Sequence, residues 1–198
     1  MRESFSLSGG ERLAHLRAAA RRLVRRQTPI PTSLQAGHSI LFVCYGNIIR
    51  SALAEALLRR HAAGHEVPWG QIRSAGVAAK GGRSADPRAV AAATALGVDL
   101  TLHRAQPLSP ELIAGADAIF VMDRLNEAQL LARFPEASGK VFRLGAVTEA
   151  DGSDVIADPY TGSEADVAAV ASRIDRATQS LASELARRAG TNAPRARA

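Results

Sequence analysis

The sequence predicts an α/β fold, a three-layer sandwich with a four-stranded parallel sheet flanked by helices, and ahead of it an N-terminal helical extension. Short apolar, β-rich runs alternate along the chain with longer segments patterned at helical spacing, which is the order that parallel strands joined by crossover helices require. A second observation sets the size: 198 residues, 46% of them hydrophobic, suit a single core with some chain to spare.

Ser8-Gly9-Gly10-Glu11 reads as a capping box, and Leu13, Leu16, Ala20, Leu23 and Val24 then recur at helical spacing with arginines on the other face. An amphipathic helix to about Gln27 follows from this. Thr28-Pro29-Ile30-Pro31-Thr32-Ser33 cannot continue it, because proline lacks an amide donor and biases its predecessor toward extended backbone. Residues 1–38 are thus predicted as a basic helix and a proline-rich linker.

The folded domain is predicted over residues 39–189. Residues 39–44, Ser-Ile-Leu-Phe-Val-Cys, suit a strand buried on both faces of a parallel sheet. A loop leads to a helix over 52–61, rich in Ala, Leu, Glu and Arg. A weaker strand covers 71–74, and Asp86-Pro87 gives a cap and first helical position for an alanine-rich helix running toward Gly97. Ser109-Pro110-Glu111 starts a helical turn, 116–122 is a third strand, 124–134 a helix and 140–144 a fourth strand. A long helical pattern over 164–188 closes the domain, and residues 190–198, with Gly, Pro and Arg, are predicted to be a flexible tail.

Composition narrows the function. The chain has one cysteine, which excludes an internal disulfide framework and a thiolate-rich zinc cluster, so that thiol serves packing or chemistry in a reducing, cytoplasmic setting. The formal charge of +6 comes largely from arginines crowded into the extension and tail, with neither a nucleic-acid motif nor aromatics interleaved among them, so no nucleic-acid partner is expected. No stretch approaches the roughly 18 apolar residues that span a bilayer, so no transmembrane segment is expected. The arginine-rich N-terminus also resembles a transit peptide, with Glu3 and Glu11 against that reading.

Cys44-Tyr45-Gly46-Asn47-Ile48-Ile49-Arg50-Ser51 lies where a buried strand turns into a helix. In that setting successive loop amides and a helix N-terminus can converge on one anion, a phosphate cradle formed by residues 45–51. Gly46 and Asn47 tolerate the positive φ that such a loop demands. Arg50 can grip two phosphate oxygens with its planar fork, and the positive helix end favours a nucleophilic thiolate at Cys44. A lone core cysteine with an unrelated arginine a turn later is the competing interpretation, and the Gly-Asn pair, the following Ser and the strand-loop-helix setting argue against it.

These residues resemble the low-molecular-weight protein-tyrosine phosphatases, whose loop reads Val-Cys-x-Gly-Asn-x-Cys-Arg-Ser. Ser74-Ala75-Gly76, Asp86-Pro87-Arg88, His103-Arg104-Ala105, Val121-Met122-Asp123 and Asp158-Pro159-Tyr160 occur in the family's order, which extends the resemblance over residues 39–185. It implies that fold, no cofactor and no metal, and a protein-tyrosine phosphatase acting through a cysteinyl-phosphate intermediate. Cys44 would be the nucleophile, Arg50 the clamp, Ser51 a hydroxyl steadying the thiolate and Asp158 the general acid and base, with Asn47 braced by Ser74 and His103. Taken alone, Asp158-Pro159-Tyr160-Thr161-Gly162 is also ordinary turn chemistry.

The chain departs from the family in two places. Ile49 replaces the second loop cysteine, which removes any protective intramolecular disulfide and excludes the related arsenate reductases. Ile48 stands where tyrosine-directed members have isoleucine and arginine-directed ones threonine, which favours a phosphotyrosine protein substrate. The usual aromatic wall after the second strand is replaced by Ala78-Ala79-Lys80-Gly81, leaving Tyr45 and Tyr160 as aromatic candidates and Lys80 as a rim cation for acidic substrate flanks. Alternatives are action on phosphoarginine or small phosphate esters, or a weakly active phosphate-binding regulator. For the extension, self-association, a protein partner and docking on an anionic membrane surface all remain open.

Overall fold

A computed structural model describes residues 30–148 and 153–192. Four parallel strands, β1 (Ile40–Cys44), β2 (Ile72–Gly76), β3 (Ala118–Val121) and β4 (Val141–Arg143), lie in the order β2-β1-β3-β4. The helices are α1 (Arg50–Ala63), α2 (Pro87–Ala95), α3 (Pro110–Ala114), α4 (Arg124–Arg133) and α5 (Glu164–Asn192). The architecture is the three-layer sandwich predicted. The expected helix over residues 8–27 lies outside the described residues.

Strand alternation explains the layers. Ile40, Phe42 and Cys44 of β1 and Ala118 and Phe120 of β3 point to one side, where α1, α2 and α5 pack. Leu41 and Val43, with Ile119 and Val121, point to the other, over Leu112 and Ile113 of α3 and Leu130 and Leu131 of α4. Phe42 and Phe120 sit at partnered positions, and Phe120 and Phe142 likewise, each pair with ring centroids 5.9 Å apart. Helix α1 buries residues around most of its circumference, as a helix caught between the sheet and α5 must.

Ordered structure continues on both sides of residues 39–189. Ile30 and Leu34, assigned to the linker, are buried in the core, and the carbonyls of Ile30, Pro31 and Leu34 accept hydrogen bonds from the Arg188 guanidinium near the end of α5. The prolines forbid a helix there but leave an irregular strap able to bury its apolar side chains. At the other end α5 continues through Gly190 to Asn192, past the expected start of the tail. Among the described residues no helix is long and apolar enough to cross a membrane.

Candidate active site

The sheet order changes direction at β1, and the carboxyl ends of β1, β2 and β3 deliver Cys44, Gly76 and Asp123 to one edge. Immediately beyond β1 the chain turns through residues 45–49 into α1. That helix begins at Arg50 with no side-chain cap and no acidic residue in its first turn, so its positive end is left for something else.

The turn is held from outside by its carbonyls. Cys44 O accepts from Val77 N at 3.0 Å, Tyr45 O from Ala78 N at 2.9 Å, Ile48 O from Asp86 N at 3.0 Å, and Asn47 O from Nε2 of His103 at 2.7 Å. The amides of Gly46, Ile48 and Ile49 have no acceptor among the described residues, while Asn47 N donates to Cys44 Sγ at 3.3 Å. A cradle with engaged carbonyls and open amides is built to receive an anion.

Asn47 is the pin of this loop. Its φ is +53°, in the left-handed region that asparagine tolerates, and its buried side chain saturates its neighbours. Nδ2 donates to Ser51 Oγ at 2.9 Å and to Ser74 Oγ at 2.8 Å, and Oδ1 accepts from Gln106 N at 2.8 Å. Ser74 in turn donates to Glu55 at 2.6 Å. Ser51 Oγ stands 3.0 Å from Cys44 Sγ. Gly76 is a requirement of the same packing, since a Cβ there would lie 2.6 Å from Tyr45 O and 2.9 Å from Asn47 N.

Arg50 is 2% exposed and reaches across the cradle. One terminal nitrogen donates to Asp123 Oδ2 at 2.6 Å and to Ile156 O at 3.2 Å; the other donates to Asp158 Oδ2 at 2.5 Å. Burial opposes its charge, but Cys44, Asp158 and Asp123 together hold its pKa above the ordinary value. Asp123 also caps α4 by accepting from Asn126 N at 2.7 Å, so the side chain that aims Arg50 is itself fixed by a helix start.

Asp158 arrives on a segment braced at several points. Ile156 N donates to Met122 O at 2.8 Å, and Arg173 donates to Ser153 O and Val155 O. Arg143 bridges Asp154 and the buried Glu127. Burial, and then the charge of Asp154, push the Glu127 carboxyl up to about 7, while the charge of Arg124 opposes that shift. Asp158 Oδ1 accepts from Tyr160 N at 3.2 Å, an Asx turn that leaves its carboxyl 42% exposed.

Arg88 ties the two halves of the site together. It holds Asp86 through two nitrogens, at 2.9 and 2.8 Å, and donates to the carbonyls of Tyr160 and Gly162. A pocket of about 260 Å³ opens above Cys44, lined by Gly46, Ile48, Ile49 and Asp158, with Tyr45, Ala78, Lys80, Arg83 and Tyr160 at its mouth.

Every predicted residue from Cys44 to Ser51, with Asp158, is thus brought together, Ser74 and His103 stand behind Asn47, and Lys80 and Tyr160 lie on the rim. Sequence reasoning missed Gln106 and Arg83 and assigned no role to Asp123 or Arg88. Asp123 carried a visible signal, a carboxylate directly between an apolar strand and a helix, but that signal announces a cap and says nothing of Arg50. No pattern marked Arg83.

The family profile described as "Low molecular weight phosphotyrosine protein phosphatase" matches residues 39–191. The chain is 43% identical over 122 residues, 62% of its length and 78% of the relative's, to the probable low molecular weight protein-tyrosine-phosphatase EpsP of Ralstonia nicotianae. It is 36% identical over 148 residues, 75% of its length and 95% of the relative's, to the low molecular weight protein-tyrosine-phosphatase Wzb of Escherichia coli K12. Among solved structures, the YwlE arginine phosphatase of Geobacillus stearothermophilus superposes with a TM-score of 0.70 at 31% identity, covering 78% of this chain and 97% of that one.

Proposed function

Because this chain belongs to the low molecular weight phosphotyrosine protein phosphatase family and is a cysteine-dependent phosphatase, we propose that it dephosphorylates phosphotyrosine in proteins through a cysteinyl-phosphate intermediate. The observation that carries this reading is one pocket that holds the Cys44 thiol, open loop amides, and the Arg50 guanidinium fixed between Asp123 and Asp158.

In the first step the Cys44 thiolate attacks phosphorus opposite the ester oxygen. The S–P bond forms as the P–O bond breaks, and the leaving phenolate takes the proton of the Asp158 carboxyl. The Gly46, Ile48 and Ile49 amides and Arg50 spread the charge of the transferring phosphoryl group. In the second step water attacks phosphorus, Asp158 accepts its proton, the S–P bond breaks and inorganic phosphate leaves with the thiolate restored.

The Arg50–Asp158 ion pair supports Asp158 as the switching group. A phosphate dianion in the cradle competes with Asp158 for the same side of the guanidinium, which frees the carboxyl to face the ester oxygen. Asp123 and Ile156 O keep Arg50 aimed throughout. A thiolate nucleophile with no second cysteine in the chain suits a reducing, cytoplasmic compartment.

A second reading, phosphoarginine as substrate, is favoured by the likeness to the YwlE arginine phosphatase. Against it stands Ile48, which lines the pocket with an apolar side chain. Turnover of a phosphotyrosine peptide and a phosphoarginine peptide, each with wild type and Cys44→Ser, separates the two. The expected result is preferential release of phosphate from the phosphotyrosine peptide, reduced at least about 10⁴-fold in the serine variant, since the alkoxide is a poorer attacking and leaving group. Preference for phosphoarginine, or near wild-type turnover by Cys44→Ser, would overturn the proposal.

A further inference from the structure

Arg83 lies at the mouth of the pocket, exposed, with its guanidinium carbon 5.9 Å from the centre of the Tyr160 ring. Lys80 lines the same mouth and is also exposed. Among the described residues neither cation has a carboxylate partner. The two acids nearest in the site are already engaged: Asp158 with Arg50, and Asp86, which feels the charge of Arg83, with Arg88.

This rim is not a floppy surface loop. Gly82 N donates to Ala105 O at 2.9 Å, Ala105 N to Arg83 O at 2.7 Å, and Arg83 N to Lys80 O at 3.3 Å. Ser84 pairs with Arg104 in an antiparallel bridge, and Gly82, at φ +80°, makes the turn that glycine permits. Tyr160 is held from behind by Arg88, which donates to its carbonyl at 3.0 Å. The ring therefore gives the Arg83 guanidinium a fixed surface to stack on, so less side-chain freedom is lost when the guanidinium meets an anion.

Resting on the phosphotyrosine reading of the site, we infer that Arg83, supported on Tyr160 and assisted by Lys80, forms a second anion subsite that selects substrates with an acidic side chain within two residues of the phosphotyrosine. Two residues of extended peptide span about 7 Å, which brings a neighbouring side chain to the rim while the phosphate lies in the cradle. Carboxylate and phosphate share the chemistry that a guanidinium fork recognises.

The test compares kcat/KM on three peptides that differ only at the second neighbours of a single phosphotyrosine: Gln, Glu or phosphoserine. At low ionic strength wild type is expected to prefer the Glu peptide over the Gln peptide by about 5-fold, and the phosphoserine peptide by about 10-fold or more. Both ratios should shrink as salt is added. Arg83→Gln should bring the ratios down to about 2 or less, and Arg83→Glu should invert them. Larger gains with phosphoserine than with Glu assign the site to phosphate, and equal gains to any anion; either supports it. Turnover of all three peptides at ratios near one, or ratios unchanged in Arg83→Gln, would overturn the subsite alone. No turnover of any of them, alongside turnover of p-nitrophenyl phosphate or a phosphoarginine peptide, would overturn the phosphotyrosine reading and the subsite with it.

Discussion

The floor and the rim of the pocket are built on different principles. On the floor, Asn47, Arg50, Ser51 and Ser74 are buried polar side chains, and each is tied to at least two neighbours. At the rim, Lys80, Arg83 and Tyr160 stand in solvent and depend on one stacked contact and on backbone bonds behind them. A buried polar network either holds as a unit or fails, because each orphaned partner costs the desolvation it no longer recovers. An exposed rim tolerates exchange, so the chemistry sits where substitution is costly and the choice of substrate where it is cheap.

That contrast breaks most visibly at Arg50. Arg50→Lys keeps a charge but loses the fork that holds Asp123 on one side and meets Asp158 or a phosphoryl group on the other, and kcat on p-nitrophenyl phosphate should fall about 10³-fold. A loss below about 10-fold would show that geometry on the floor is not decisive. Asp158→Asn comes next, with kcat falling about 10²-fold on phenyl phosphate and clearly less on nitrophenyl esters, whose leaving groups need no proton. Equal losses across a leaving-group series would remove Asp158 from the acid role.

Asn47→Ala sharpens the structural side of the contrast. It combines the strain of φ +53° with loss of the hydrogen bonds to Ser51, Ser74 and Gln106, and should destabilise the fold by about 2–4 kcal/mol in denaturant titrations. Substitutions at the rim should stay within about 0.5 kcal/mol of wild type. A further effect concerns pH. With the Glu127 carboxyl raised to about 7, its neutral form stabilises the fold fully below about pH 4.5, and that contribution is lost as pH rises through 7. Wild-type stability should therefore fall by roughly 2 kcal/mol between pH 5 and 8 relative to Glu127→Gln. Parallel stability curves for the two proteins would indicate that Arg143 keeps Glu127 ionised throughout.

The sequence was most informative where one local rule dominated. β1 was legible because five consecutive buried residues leave no other use for such a run. The cradle was legible because its residues are contiguous and each has a type suited to its task. The sequence pattern carries β2 only as far as Ser74, because Ala75 and Gly76 look like loop, yet Gly76 stays in the strand to let Tyr45 and Asn47 approach. Pairings across long separations left no local trace: Asp123 on Arg50 spans 73 positions, and Arg143 joins residues from a helix and a loop. The strap at Ile30 and Leu34 leaves no sequence signal for another reason. Proline rules out regular hydrogen bonding without ruling out burial.

The strap also bears on the order in which the molecule assembles. The carbonyls of Ile30, Pro31 and Leu34 accept from a guanidinium that follows them by 154 to 158 positions, so that contact cannot form during synthesis until α5 has been made. Closing a loop of that length costs roughly 4–5 kcal/mol of chain entropy if nothing else has folded, and little once the sheet and α5 are in place. Docking of Ile30 and Leu34 is therefore a late event that follows the nucleus. Contacts formed after the rate-limiting step slow unfolding without hastening folding, so Arg188 contributes to how long the folded molecule lasts and not to how fast it forms.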